Sequence, residues 1–270
     1  GNMRLRTDLQ LLNDTGVITL PLATWPVAWD AVHRALVDVE AADLSPSLFI
    51  VYERLRQQAR DEAETRSLGF ELKVNAAKNP HIIRTFEDTP REDGQLSAGV
   101  NWKGETFAFN LTVSGVDVPE NEDTVRPDGS YAGFALGNWM LSAGWQERWG
   151  GPGWGGSLIL SNNARPFPHI AIQRKSTDAF ELRWLRWIGP WTLTSFMGQL
   201  DDEREIDDTL LFGLRVSFRP TRGLEIGLSR TAQWCGGDRP CDSDIFADLL
   251  LGNDNRGVNV APENEPGNQL

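Results

Sequence analysis

The sequence predicts a mainly β chain, an antiparallel transmembrane β-barrel preceded by a small bundle of three helices. Three observations predict it. From Ser67 onward, apolar residues alternate with polar ones at a period of two. The alternating runs are about nine to eleven residues long, the length a tilted strand needs to cross a bilayer, whereas strands of soluble proteins average nearer five or six. The connections between runs alternate short and long, as they do when tight turns gather at one end of a barrel and large loops at the other.

Composition bounds the alternatives. The chain has 270 residues, 40% of them hydrophobic, and a formal net charge of −12. No unbroken apolar run approaches the ~18–20 residues of a membrane-spanning helix, which leaves a barrel untouched. The negative charge excludes the basic footprint of a nucleic-acid binder. Acidity is concentrated at 87–93, 119–123 and 201–208. These runs read as solvated loops, with surface binding of divalent cations as the sharper alternative. The start, GNMRL, has no basic region followed by an apolar one, so it reads as processed, trimmed or incomplete.

Residues 1–66 carry helical spacing and are expected to form the bundle. Leu5, Leu9 and Leu12 make one stripe, ended by Gly16; Trp29, Val32, Leu36 and Val39 make a second. A third helix starts at Ser45-Pro46, where serine can cap and proline suits the first helical position, with Leu48, Tyr52, Leu55 and Ala59 as its stripe. Each stripe is narrow, so the bundle must lean on something else.

Residues 67–270 are expected to be the barrel. Leu68, Phe70, Leu72 and Val74 alternate with Gly69, Glu71, Lys73 and Asn75. Similar runs follow near 96–102 and 107–113, then near 130–136, 139–147, 157–162, 168–174, 180–187, 191–199, 209–218 and 223–234, about eleven strands in all. Short connections fall at 103–105, 137–138, 163–167, 188–190 and 219–222; long ones at 116–129, 148–156, 200–208 and after Trp234. With the bundle on the periplasmic side, the first strand runs outward and 78–94 must be one outer loop. Eleven strands leave open edges, which a membrane does not accept; the 270 residues therefore read as a fragment.

A soluble sandwich also alternates. Opposite charges in mid-strand (Glu71 with Lys73, Glu181 with Arg183, Arg215 and Glu225) fit a polar barrel interior. Of the eleven Trp, Trp102, Trp139, Trp149, Trp184, Trp187, Trp191 and Trp234 fall at strand ends, as at a membrane–water boundary.

The stretch WMLSAGWQERWGGPGWGGSLILSNNARPFP (139–168) resembles the capsule assembly Wzi family of outer-membrane barrels. Residues 5–18, FGLRVSFRP (212–220) with LEIGLSRTAQW (224–234), and LGNDNRG (251–257) leading to EPGNQ look similar as well, so the resemblance covers nearly the whole chain. It implies an 18-stranded barrel closed by a periplasmic helical bundle, of which this chain would hold rather more than half. The implied role is a surface lectin that helps attach capsular polysaccharide to the outer membrane.

Trp145, Arg148, Trp149 and Trp154 are the candidate polysaccharide contacts. Aromatic faces stack on sugar rings, and a guanidinium forks onto the carboxylates of an acidic glycan. A boundary girdle with loop packing is the plainer account. GPGWGG (151–156) matches a dinucleotide fingerprint, but no helix follows and Trp154 blocks the approach of a pyrophosphate. Asn162, Asn163 and Arg165 are assigned to a periplasmic turn. The acceptor pattern Asn110-Leu111-Thr112 lies inside a strand. Cys235 and Cys241 close a short loop and are read as a disulfide, with two free thiols as the alternative.

His33, His81 and His169 are scattered, and no nucleophile–base arrangement is legible. No catalytic residue, metal site or cofactor is expected. The expected partners are an acidic surface polysaccharide and outer-membrane lipid, with the chain a monomer. A diffusion channel and a soluble β-sandwich enzyme acting on glycans are the competing readings.

Overall fold

The structure, a computed structural model, describes all residues but 82, 88, 118–122, 158, 201–205, 238–240, 252–266 and 270. Helix α1 (Met3–Asp14) begins where the Asn2 side chain accepts the Leu5 N–H at 3.0 Å, and the chain leaves it through Gly16 at φ +77°. The short strand β1 (Thr24–Trp25) follows, then α2 (Trp29–Val37) and α3 (Pro46–Ala63). Pro46 opens α3 as expected, but the capping bond does not form: the Ser45 hydroxyl lies 3.3 Å from that of Ser47 instead. Arg54 of α3 forks onto Asp8 of α1 at 2.6 and 2.7 Å, fixing the two helices together.

The strands are β2 (Ser67–Ala76), β3 (Gly94–Lys103), β4 (Phe107–Asp117), β5 (Val125–Arg126), β6 (Tyr131–Leu136), β7 (Trp139–Gly144), β8 (Trp149–Gly150), β9 (His169–Arg174), β10 (Trp191–Gln199), β11 (Leu210–Thr221), β12 (Leu224–Trp234) and β13 (Gly267–Gln269). All but β1 and β8, which pair with each other, belong to one antiparallel sheet in the order β13-β12-β11-β10-β9-β7-β6-β4-β3-β2, with β5 on β4. Each long strand pairs with its neighbour in the chain, as in an up-and-down barrel wall. A fourth helix, α4 (Ser243–Leu251), lies in the region after Trp234 that alternation alone reads as loop.

Among the described residues, two expected strands do not form. In 157–162 only Ile159 makes an isolated bridge, to Gly150, and Leu160 has φ +54°. This run is apolar because Leu160 packs on Ala171, Phe196 and Leu211 inside the wall. The stretch 180–187 forms turns and a short 3-10 helix (Arg186–Ile188). Removing both reverses β9 alone and moves 163–167 to the opposite end of the sheet. The long connections 77–93, 118–130, 145–168 and 200–209 then share one end, and the turns 104–106, 137–138 and 222–223 the other. The helices cap the short-turn end, where Lys103 bonds the Asp61 carbonyl at 3.2 Å and Glu62 Oε2 at 3.0 Å.

Register assigns the two faces. Phe70, Val100 and Leu111 are cross-strand partners in turn, as are Phe134, Leu141 and Ile172. Side chains on this outward face are open: Phe70 is 79% exposed, and Leu72, Val74, Leu111, Val113, Leu141, Ile170 and Leu228 are exposed as well. No second sheet covers it among the described residues, so the sandwich expectation does not hold. On β10–β12 the α4 residues Phe246 and Leu249 pack on Phe212 and Ala232 of this face, and Cys235 and Cys241 are bonded (Cα–Cα 4.6 Å) in the link to that helix.

The inward face is polar and holds the segment after α1. Arg215 donates to Thr24 Oγ1 at 2.8 Å and to the Ala23 carbonyl at 2.9 Å. Glu225 accepts the N–H groups of Leu22 and Ala23 at 3.0 and 2.8 Å, and Thr24 meets Ser217 at 2.8 Å. Glu71 and Lys73 pair at 3.0 Å as expected; Glu181 and Arg183 are not in a strand. The support the narrow helical stripes lacked comes from inside the wall. Leu9, Leu12, Val32 and Leu55 share one core with Trp25, Phe86 and Trp149, the last two delivered by long connections that fold inward.

Candidate functional site

The connections 77–93 and 145–168 are folded against each other and onto α1. Asn162 donates to the Phe86 carbonyl at 3.0 Å, and Arg91 donates to the carbonyls of Asn162, Asn163 and Ala164 at 2.7, 2.7 and 2.9 Å. Asn163 Oδ1 accepts the Arg84 N–H at 2.7 Å. Asn162, Asn163 and Arg165 therefore do not form a turn at the helix-capped end; they organise the long-loop end. The tip 151–154 is held by Arg6. Its Nη2 donates to the carbonyls of Pro152 and Gly153 at 2.8 and 2.9 Å, and its Cζ lies 4.3 Å from the Phe86 ring and 4.5 Å from that of Trp154. Burial pushes the Arg6 pKa down to about 10, which leaves it charged at neutral pH.

This anchoring separates the four candidate contacts. Trp149 is 2% exposed; its ring meets Phe86 edge-on at 5.5 Å and its Nε1 donates to Gly153 at 3.1 Å. Trp154 stacks under Arg6 and its carbonyl accepts the Phe86 N–H at 2.9 Å. Trp149 belongs to the helical core and offers no face to a sugar ring, which corrects the expectation for it; Trp154 is half-buried, with its ring engaged by Arg6 and Phe86. The exposed glycine loop is held by aromatic and cationic contacts that spacing did not disclose.

Trp145 and Arg148 lie elsewhere, on a cavity of about 650 Å³ at the long-loop end. Its wall includes Gln146, Glu147, Arg165, Phe167, His169 and Gln199. The volume falls within the ~300–1,000 Å³ of small-molecule clefts. Trp145 is fixed through its backbone: its N–H donates to Ser130 at 2.7 Å and its carbonyl accepts from Gly129 at 2.9 Å. Arg148 Nε donates to His169 Nε2 at 3.0 Å, and Nη2 donates to Gln146 Oε1 at 3.3 Å. Burial lowers the Arg148 pKa to about 10. Arg165 forks onto Asp128 at 3.0 and 3.1 Å and reaches Asp123 at 3.0 Å, bracing the opposite wall.

The sequence assigns Arg165 to a turn and gives His169 and Gln199 no role, because the partners of His169 and Arg165, 21 and 37 residues away, leave no spacing signal. Gln146, Glu147 and Arg148 also line a second cavity of about 410 Å³ inside the wall, so this tripeptide is the partition between them. An aromatic edge, a guanidinium, amides and a carboxylate around a cleft recognise a polyol with acidic groups better than an apolar ligand. Among the described residues no cluster of three or more His, Cys, Asp or Glu side chains could hold a metal ion. The acidic residues 119–122 and 201–205 lie outside the described residues. Glu92, from the run at 87–93, is buried against Arg126 at 2.5 Å.

The profile of the capsule assembly protein Wzi family matches residues 64–270. A Klebsiella pneumoniae protein described as an uncharacterized 55.8 kDa protein in the cps region is 34% identical over 269 residues, 98% of this chain and 51% of its own length. The solved structure of Wzi, an outer-membrane protein involved in group 1 capsule assembly in Escherichia coli and a carbohydrate-binding β-barrel, superposes with a TM-score of 0.79 at 31% identity. That match covers 91% of this chain and 55% of the Escherichia coli chain. The chain thus spans about half the length of these relatives.

Proposed function

Because the chain belongs to the capsule assembly Wzi family, we propose that it forms part of an outer-membrane barrel that binds an acidic surface polysaccharide and helps attach or assemble it at the cell surface. The reading is of a lectin without turnover, with the helices in the periplasm and the long connections outside. The cavity bordered by Trp145 and Arg148 is the single observation that carries it, because it lies at the end where a surface glycan would arrive. A diffusion channel is opposed by the segment 22–26 hung on Arg215 and Glu225 across the interior.

Binding is the test. Trp145→Ala is expected to weaken binding of an acidic capsular glycan to the full-length protein at least tenfold, since one aromatic–sugar contact and its desolvation account for about 1.4 kcal/mol or more. Arg148→Gln should lower affinity for the acidic glycan more than for a neutral one. Calorimetry showing intact affinity in both variants would put the site elsewhere.

The membrane assignment has its own check. Leu111 lies mid-strand on the outward face. Leu111→Arg should cost about 2–4 kcal/mol if lipid covers it, and close to nothing in water. Unfolding titrations of the vesicle-inserted protein distinguish the two.

A further inference from the structure

The connection 175–190 breaks the pattern of the helix-capped end, where the other turns are two or three residues long. Its centre reads LRWLRW (182–187), a tandem triplet. The backbone follows the same period. Leu185 N–H donates to Leu182 at 3.0 Å, Ile188 to Leu185 at 3.0 Å and Gly189 to Arg186 at 3.1 Å. The turn at 182–185 runs into the short 3-10 helix Arg186–Ile188, so Arg183, Trp184, Arg186 and Trp187 fall within two successive turns of chain. Both arginines are exposed, and the tryptophans are 71% and 63% exposed.

The segment lies on the outside of the wall. Phe180 stacks on Trp191 at 4.6 Å and 11°, and Trp187 meets Phe218 edge-on at 6.3 Å. Trp191 and Phe218 are register partners on the outward apolar face, so the strip continues that face at its lower rim. Arg174 lies 3.9 Å over the Trp191 ring and donates to the Trp191 and Asp178 carbonyls at 2.7 and 2.9 Å. The nearby carboxylates do not neutralise the strip. Asp178 is within 3.7 Å of Arg34 and takes the Ser176 hydroxyl, and only the Glu181 carbonyl, at 3.5 Å, meets Arg186. In a chain of net charge −12, this is a local positive strip set beside two exposed indoles.

We propose that residues 182–187 grip anionic phospholipid in the leaflet at the helix-capped end of the barrel. The indoles enter the boundary region and the two exposed guanidinium groups take the headgroup phosphates. The proposal rests on the outer-membrane reading above. The experiment inserts full-length protein into nanodiscs of equal parts phosphatidylcholine and phosphatidylglycerol and counts retained lipids by native mass spectrometry.

Wild-type protein should retain phosphatidylglycerol with roughly tenfold preference, from two cationic side chains at an anionic surface. Arg183→Gln with Arg186→Gln should bring the preference near unity, and the double lysine variant should keep most of it. Equal preference in wild type and the glutamine variant overturns the proposal. So does displacement of the lipid by millimolar inorganic phosphate, or a doubled mass that Trp184→Ala with Trp187→Ala abolishes, which would make a second copy the occupant. Failure of wild-type protein to insert, seen as unchanged gel mobility on heating, sinks the outer-membrane reading itself.

Discussion

Arg6→Ala is expected to release the 145–168 connection from the helices and, with it, most glycan affinity. The side chain is buried, and its guanidinium is the cation among the rings of Phe86 and Trp154. Truncation strands the Pro152 carbonyl without a donor, while Gly153 keeps the Trp149 indole N–H. The lost charged hydrogen bonds and the cation–π contacts together come to on the order of 2–4 kcal/mol. Arg6→Lys keeps the charge but not the flat fork, so it should fall between. Limited proteolysis of detergent-folded protein would show new cleavage within 151–157 in the alanine variant. An unchanged digest would show that the loop stands without this anchor.

Glu92→Ala should destabilise the long-loop end by about 2–4 kcal/mol, because the buried Arg126 charge loses its carboxylate at 2.5 Å while keeping neutral contacts such as the Asp123 carbonyl. Glu92 and Arg126 are 4% and 3% exposed and meet at 2.5 Å. Arg126 lies in β5, which pairs with β4, and Glu92 lies two residues before β3, so the bond ties two outer connections together. Glu92→Leu with Arg126→Met should recover much of the loss, since a buried ion pair is replaceable by apolar groups of similar size. Denaturant midpoints followed by tryptophan fluorescence decide it. A shift below ~1 kcal/mol for Glu92→Ala would mean that water reaches the pair.

The alternation at 67–76, 94–117 and 191–234 was readable because one face meets polar groups along the whole strand and the other does not. The cysteine pair was also legible from its spacing. Where alternation is borrowed by another structure it misleads. Leu182, Arg183 and Trp184 imitate a strand, while the repeat in LRWLRW was the sign of a three-residue period. Leu160 is apolar for the interior of the wall rather than for a strand face. The candidate site was half readable. Trp145 and Arg148 border the cavity, but Trp149 and Trp154 are claimed by Phe86 and Arg6, partners 63 to 148 positions away that no local pattern announces.

Leu22 and Glu225 are 203 positions apart, yet their bond holds the N-terminal segment within the curved sheet. Translation delivers that segment before the strands that hold it, and a fully zipped cylinder would offer it no side entrance. Seating before closure is the route this favours, with late strands rolling around a segment already in place. Assembly then becomes a wrapping process, and substitutions within 20–26 that break these bonds should surface as stalled half-cylinders rather than as finished, empty ones.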